Sequence, residues 1–335
     1  MPLSPEPMHV VLCCDENYYL QIVVVMTSVM ENNDSGRSVH FHILESGFTD
    51  EQKECVERIK EQYDCDVEFI DVEPYLYLFE KTDVSEFRNK YVSLACYYRL
   101  LIFHLITDVE SCIYMDGDMI TDVDLGHLLD TYGDSLMAAV PESFAMERKD
   151  TVLSHLKTCK DFDRFNEDPN NYPYCNAGLL VMNLSKSEEL NIWDELIGFY
   201  DENPNMPYAD QDIINAIFFQ RHHDLTRFMP ARYNVFCDST IDHSYNHSVA
   251  YFSQQEMMDA YGNPSVYHYA GVQKPWCNPI SNYYEKWWDY ALKSHVKEEL
   301  VSNLLVLFRE SKENQRITII DRMRKCLLKT KNRLE

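Results

Sequence analysis

The stretch His9-Val10-Val11-Leu12-Cys13-Cys14-Asp15-Glu16-Asn17 decides the class of fold. Its first six residues form a short, largely apolar run with β-branched members, and three polar residues follow. This pattern predicts a buried strand whose carboxyl end turns polar. Residues 21–32 then have the apolar spacing of a helix, so the chain opens with a strand and a helix.

The alternation continues downstream. Strands are predicted at 39–44 and 67–72, with a helix at 51–62 between them and Thr49 or Asp50 as its N-cap. Further apolar runs lie at 112–115, 135–140 and 178–184, and helical patterns at 93–105 and 213–219. Strands that alternate with helices predict a parallel sheet covered on both faces. Since ligands bind beyond the carboxyl ends of such strands, the polar residues after each run are the candidate site residues.

Length and charge limit the choice of partner. A chain of 335 residues with 45% hydrophobic residues fits one large α/β domain with appendages. Its formal charge of −25 excludes a nucleic-acid partner, because so acidic a protein repels a phosphate backbone. A phosphate ligand is therefore expected to arrive with a cation.

The cysteines and the N-terminus predict a cytoplasmic protein. Eleven cysteines, an odd number without a C-x-x-C pair, are typical of reduced thiols. Residues 1–7 lack the pattern of a secretory leader, and no apolar run is long enough to span a bilayer.

A D-x-D pair at the end of a strand is the first candidate for a metal site. The spacing occurs at 64/66, 116/118, 122/124, 161/163 and 210/212, so it is weak evidence by itself. Only Asp116-Gly117-Asp118 directly follows an apolar strand and has a small residue between the carboxylates. Such a pair can bind Mg²⁺ or Mn²⁺ and bring it to a diphosphate. The alternative is a solvated acidic turn.

The stretch from Val266 to Trp276 supplies the second candidate. An imidazole from His268 as third ligand favours Mn²⁺ over Mg²⁺. Gly271 can bring backbone N–H groups near phosphate oxygens, and Lys274 adds a positive charge.

Six blocks of the sequence resemble glycosyltransferase family 8, the retaining transferases of bacterial lipopolysaccharide synthesis and, more distantly, glycogenin. In order along the chain, the blocks are Val10–Tyr18, Tyr97–Leu100, Tyr114–Asp118, Cys175–Gly178, Asp210–Asp212 and His268–Gly271 with Lys274-Pro275-Trp276. The resemblance implies an α/β fold of the GT-A type, a Rossmann-like mixed central sheet flanked by helices. The catalytic domain is expected at 8–290, with a helical C-terminal extension at 291–335.

The resemblance also implies a role for each matching residue. Asp116, Asp118 and His268 would bind Mn²⁺, with Mg²⁺ as the alternative. The residues implied to bind a UDP-sugar donor are Cys13, Asp15, Asn17, Tyr18, Arg99, Asp116, Gly117, Asp118, Glu142, Asn176, Asp210, Gln211, Gly271 and Lys274. Two positions depart from the family's pattern: Glu142 replaces an aspartate and Cys13 replaces a small residue. The longer carboxylate leaves glucose and galactose both open as the donor sugar.

Structural alternatives exist for single residues. Asp15 and Asn17 could cap a turn, Arg99 could pair with a nearby carboxylate on its helix, and Asn176 could hydrogen-bond to backbone in a loop.

The reaction implied is transfer of a hexose from UDP to a glycan or lipid-linked acceptor with retention at the anomeric carbon. Retention requires either double displacement or front-face attack, and Asp210 and Gln211 are the candidates nearest the reacting centre. We favour front-face attack because an amide is a poor nucleophile. Two other functions fit the motifs: a metal-dependent phosphohydrolase or nucleotidyltransferase, and a sugar-nucleotide-binding protein without turnover.

The tail, from Val296 to Glu335, has a helical pattern and becomes basic from Arg316 onward. A basic, amphipathic end on an acidic protein predicts peripheral contact with the anionic inner face of the cell membrane. The alternative is a solvated terminal helix packed on the body.

Overall fold

The computed structural model describes residues 6–83, 94–142, 173–206, 208–238, 251–277 and 281–309. The strands are β1 (Met8–Asp15), β2 (Val39–Ser46), β3 (Cys65–Asp71), β4 (Ser111–Asp116), β5 (Met119–Thr121), β6 (Met137–Pro141), β7 (Cys175–Asn183), β8 (Thr226–Phe228), β9 (Val235–Phe236) and β10 (Val266–His268). The α-helices are α1 (Tyr19–Glu31), α2 (Asp50–Glu57), α3 (Ile102–Leu105), α4 (Gly126–Tyr132), α5 (Leu184–Glu189), α6 (Ile192–Glu202), α7 (Asp210–Ile214), α8 (Gln254–Gly262), α9 (Tyr284–Lys293) and α10 (297–309).

In the described part of the chain, seven strands form the central sheet in the order β3-β2-β1-β4-β7-β6-β8. All of them are parallel except β7, which runs antiparallel to both β4 and β6. The mixed α/β architecture implied by the resemblance is confirmed. The fully parallel sheet expected from alternation alone is wrong, because a buried strand has the same apolar composition in either direction.

Alternate residues of the strands supply the cores on the two faces of the sheet. Along β1, Val11 packs on one face while Val10 and Leu12 pack on the other. Helix α1 is buried over most of its length because it packs between the sheet, α9 and β5. A smaller sheet, β5-β10-β9, adjoins the carboxyl end of β4 and positions His268.

Local signals in the sequence explain the ends of several helices. Thr49 is the N-cap of α2: its hydroxyl accepts from Gln52 N, and the Gln52 side chain accepts from Thr49 N. The helix predicted at 93–105 begins instead as a 3₁₀ helix, Leu94–Leu101, before α3. The helix predicted at 213–219 is also irregular, because α7 continues as a π-helix, Asn215–Arg221.

The nine cysteines among the described residues are free thiols, and none of the described helices is both long and apolar enough to cross a bilayer. The basic segment from Arg316 lies outside the described residues.

Candidate active site

One edge of the central sheet gathers the candidate residues. The carboxyl ends of β1, β4 and β6 meet there, and the amino end of β7 joins them because this strand is reversed. Asp116 ends β4, Glu142 follows β6, and Asn176 lies at the start of β7. The reversal of β7 therefore brings Asn176 into the site.

Asp116, Asp118 and His268 converge on one point. Their ligand atoms all lie within 4.8 Å of one another. His268 Nε2 is 3.3 Å from Asp118 Oδ1 and 3.6 Å from Asp116 Oδ2. The Tyr114 hydroxyl donates to the other oxygen of Asp116 at 2.5 Å, which holds this carboxylate in place.

A chain of hydrogen bonds determines which nitrogen of His268 carries the proton. Gly178 N donates to Asn176 Oδ1 at 2.9 Å, so this oxygen is an acceptor. The group of Asn234 that faces it at 2.7 Å is therefore the amide nitrogen, and the amide oxygen of Asn234 faces His268 Nδ1 at 2.8 Å. Because that oxygen can only accept, Nδ1 carries the hydrogen and the lone pair of Nε2 points at the two carboxylates.

These groups fit a divalent cation. Among the described residues, no donor forms a hydrogen bond with the buried Oδ1 of Asp118. An imidazole lone pair beside two carboxylate oxygens is electrostatically unfavourable unless positive charge lies among them. Two carboxylates and one imidazole form a donor set suited to a divalent metal ion, with hydrogen-bonded outer groups that orient the side chains. Asp116, Asp118 and His268 would hold the ion.

Lys274 already supplies positive charge to the site. Its ammonium donates to Asp118 Oδ2 and to the carbonyl of Tyr269. Burial by itself raises the pKa of Asp118, but the Lys274 ammonium holds that pKa well below its usual range. Gly271 adopts φ +83°, a backbone conformation that favours glycine, in the same loop.

Arg99 connects the metal ligands to the second half of the site. Its side chain is buried, with Nη2 3.0 Å from Asp116 Oδ1 and Nε 2.8 Å from Asp210 Oδ2. Nη1 donates to the carbonyl of Ala177 at 2.5 Å. The guanidinium thus balances two carboxylates and fixes β7 against them. Neither carboxylate lies on the helix of Arg99, so the pairing within that helix left open by the sequence does not occur.

Gln211, Glu142 and Asn176 form a polar surface beside the triad. Gln211 Oε1 accepts from Asn176 Nδ2 at 3.0 Å and from Ala177 N at 3.1 Å, while its Nε2 donates to Glu142 Oε2 at 2.9 Å. The side-chain amide of Gln211 is therefore fixed through both its oxygen and its nitrogen. Burial raises the pKa of Asp210 to about 6, although Arg99 opposes this effect.

A strained, buried residue precedes α7, and a buried asparagine connects this helix to β7. Ala209, which precedes Asp210, has φ +51° and is fully buried, an unfavourable conformation for a residue with a Cβ. The Asn215 side chain accepts from Cys175 N at 2.7 Å and donates to Cys175 O at 2.8 Å. This amide anchors the helix to the first residue of β7.

The turn after β1 forms another wall. Asp15 Oδ1 accepts from Asn17 N at 3.0 Å, so these residues form the capped turn that the sequence left open. Tyr18 packs edge-on against Trp276 with ring centroids 5.8 Å apart. A Cβ at Gly117 would lie 3.3 Å from Tyr18, so the glycine permits this close packing.

A family model described as "Glycosyl transferase family 8" matches residues 9–279 of the chain. The chain belongs to glycosyltransferase family 8. The family predicted from the six sequence blocks is confirmed.

Curated relatives agree with this assignment. General stress protein A of Bacillus subtilis is 25% identical over 304 residues, which cover 89% of this chain and 97% of the relative. Lipopolysaccharide 1,2-glucosyltransferase of Escherichia coli is 26% identical over 272 residues, 78% of this chain and 71% of the relative.

Solved structures show the same GT-A fold. The galactosyltransferase LgtC, in complex with donor and acceptor sugar analogues, superposes with a TM-score of 0.70 at 22% identity, over 89% of this chain and 100% of that chain. The apo structure of the bifunctional glycosyltransferase WbbM gives a TM-score of 0.70 at 20% identity, over 91% of this chain and 53% of that chain.

The structure brings many of the predicted residues together at one edge of the sheet, and several residues that were not predicted contact them. Asn234, Gly178, Tyr114 and Asn215 were not among the predicted site residues. Asn234 carried no local signal, since it lies 34 residues from the histidine it orients. Gly178 lies in the sequence block Cys175–Gly178, but no role in the site was predicted for it. A Cβ there would lie 2.7 Å from His268 Cε1 and 3.0 Å from Asp116 Oδ2.

Proposed function

We propose that this family 8 protein transfers a hexose, glucose or galactose, from a UDP-sugar to a glycan or lipid-linked acceptor with retention of configuration. The observation that carries the proposal is the continuous network from His268 through Asn234 and Asn176 to Gln211 and Glu142. It joins a site for a divalent cation to a polar surface suited to sugar hydroxyls.

The donor is proposed to lie across this edge. Cys13, Asp15, Asn17 and Tyr18 receive the nucleoside, and Lys274 with the loop at Gly271 receives the diphosphate. When bound, Mn²⁺, or Mg²⁺ in its place, would stabilise charge on the departing nucleoside diphosphate. Lys274 then exchanges part of its contact with Asp118 for a phosphate oxygen. Glu142, Asn176, Asp210 and Gln211 bind the hexose.

The side chains nearest the reacting centre favour front-face attack. Asp210 Oδ2 is held 2.8 Å from Arg99 Nε, and Gln211 Oε1 already accepts two hydrogen bonds. Both contacts reduce nucleophilicity. In our proposal the two groups instead stabilise the positive charge that develops on the sugar.

A pocket beside the network is the proposed acceptor side. Glu142, Asn176 and Asn234 line one part of it, and Phe236 and Phe252 line another. The polar groups and aromatic rings at this opening are the kinds of side chain that contact sugars. Phe252→Ala is expected to raise KM for the acceptor several-fold and leave KM for the donor unchanged. Equal changes in both would contradict this placement.

Release of UDP tests the proposed reaction. Wild-type protein is incubated with a panel of UDP-sugars in Mn²⁺, Mg²⁺ or EDTA, next to Asp118→Ala. Turnover with one UDP-hexose, dependent on metal and lost in the variant, is expected. Equal release in EDTA, or no release from any UDP-sugar by folded protein, would refute the proposal.

The C-terminal end is proposed to bind the cytoplasmic face of the cell membrane, in a protein of cell-surface polysaccharide or lipopolysaccharide synthesis. Leu305, Val306, Leu307 and Phe308 form an exposed apolar run in the last described residues of α10, and the basic segment from Arg316 follows in the sequence. Deletion of 316–335 is expected to abolish sedimentation with anionic vesicles while turnover on a soluble acceptor persists. Unchanged sedimentation would refute membrane binding.

A further inference from the structure

A histidine cluster lies at the opposite end of the central sheet from the active site. His9 on β1 and His40 and His42 on β2 place their ring nitrogens within 4.8 Å of one another. His9 pairs in register with His40, and alternate residues share one face of the sheet. His9 precedes Asp15 by six residues, about 20 Å along an extended strand. The cluster is therefore separate from the Asp116, Asp118 and His268 group.

Hydrogen bonds orient the buried member of the cluster. Glu68, on the neighbouring strand β3, accepts from His42 Nδ1 at 2.8 Å. The hydrogen of His42 is thus on Nδ1, and its Nε2 lone pair faces His9 Nδ1 at 2.9 Å. A carboxylate that fixes an imidazole in this way is the usual outer-shell arrangement of a metal-binding histidine.

Solvent exposure leaves a route by which an ion can reach the cluster. The His42 side chain is 5% exposed, whereas His40 and Glu68 are 34% and 52% exposed, so the cluster opens to solvent on one side.

We propose that His9, His40 and His42 form a second metal site, specific for a nitrogen-preferring transition metal ion, Zn²⁺ in the first instance. Three imidazoles suit Zn²⁺ or Cu²⁺ far better than Mg²⁺ or Mn²⁺. The rings of His40 and His42 are stacked 4.4 Å apart at 4°, and parallel rings cannot both direct a lone pair at one ion. We propose that His40, which is more exposed than His42, turns to direct its lone pair at the ion. Water completes the coordination, and the ion ties β1 to β2.

The test removes the active-site ligands first. The full chain carrying Asp118→Ala and His268→Ala is stripped with chelator and titrated with Zn²⁺ against a chromophoric competitor. We expect one tightly bound Zn²⁺ per chain. This binding is lost when the chain also carries His40→Gln or His9→Gln. Glu68→Gln should weaken binding about 10- to 100-fold. His223→Gln, which changes a partly exposed histidine outside the cluster, is the matched control and should leave Zn²⁺ binding unchanged.

Spectroscopy distinguishes this site from the free thiols. Cu²⁺ bound to the same background should show nitrogen superhyperfine splitting in its electron paramagnetic resonance spectrum, and the His40→Gln change should remove it. Circular dichroism checks that each variant is folded, and the two histidine variants serve as independent comparisons. Equal stoichiometry and affinity with and without the histidine changes would overturn the proposal.

Discussion

Nδ1 of His268 lies 2.8 Å from Oδ1 of Asn234, and this contact directs the other ring nitrogen at Asp116 and Asp118. The orientation of Asn234 is itself fixed by Asn176, whose amide oxygen accepts from the backbone at Gly178. A backbone N–H on β7 thus sets the tautomer of His268, the proposed metal ligand on β10.

Asn234→Ala is expected to weaken Mn²⁺ binding about 10- to 100-fold, because His268 loses the acceptor that fixes its tautomer and ring. The measurement is a titration of free Mn²⁺ by electron paramagnetic resonance. Asn263→Ala, an exposed asparagine that ends α8, is the control and should bind as wild type does. Unchanged Mn²⁺ affinity in Asn234→Ala would show that the metal is held without this contact.

Gly178→Ala should damage the metal site through steric overlap. The added methyl group meets His268 Cε1 at 2.7 Å and Asp116 Oδ2 at 3.0 Å, so the ligands must shift. We expect a loss of about 1–3 kcal/mol in the free energy of unfolding or in metal binding, measured by urea denaturation and Mn²⁺ titration. Gly198→Ala, within α6 and with open space at the Cβ, should gain about 0.5–1 kcal/mol of stability. If Gly178→Ala and Gly198→Ala changed the stability alike, steric crowding of a side chain at position 178 would be contradicted.

Arg99→Met should be among the most destabilising single changes in the site. It leaves Asp116 and Asp210 without their shared buried counter-ion, a loss that typically costs about 3–5 kcal/mol. Arg99→Lys should recover only part of the loss, since one ammonium cannot span both carboxylates and the Ala177 carbonyl. Urea unfolding at neutral pH measures both. Arg227→Lys, at an exposed site, is the control. If Arg99→Lys were as stable as wild type, the bridging role of Arg99 would be refuted.

Asp212 should make the protein lose stability as pH rises. Burial raises the pKa of Asp212 to about 7 in the folded state, from an ordinary value of about 3.8. Between these values the folded state binds more protons than the unfolded state, so the free energy of unfolding falls as pH rises from about 4 to 7, by up to about 1.4 kcal/mol per pH unit.

Asp212→Asn should reduce that slope, and the part that remains is expected from Asp210, whose pKa burial also raises. An amide can still accept from Tyr208 N and donate to the Tyr174 hydroxyl, so the contacts survive without the charge. The comparison is the free energy of unfolding of both proteins between pH 4 and pH 8. Parallel pH profiles would mean that Asp212 is not the buried proton-binding group.

The sequence by itself determined the features that depend on neighbouring residues. Apolar periodicity marked strands and helices to within a few residues, and the small residue between Asp116 and Asp118 at the end of a strand distinguished that pair from four other D-x-D spacings. Thr49 as an N-cap followed from the same local chemistry. The order of the six blocks was sufficient to identify the family.

Only the tertiary structure decided what depends on contacts between distant residues. The direction of β7 cannot be read from apolar composition, yet it brings Asn176 to the site. Asn234 orients a histidine 34 residues away, and Lys274 pairs with an aspartate 156 residues away. Such partners are chosen by the packing of strands β4, β7 and β10, because hydrogen bonds and ion pairs depend on position in space and leave no periodic pattern in the chain.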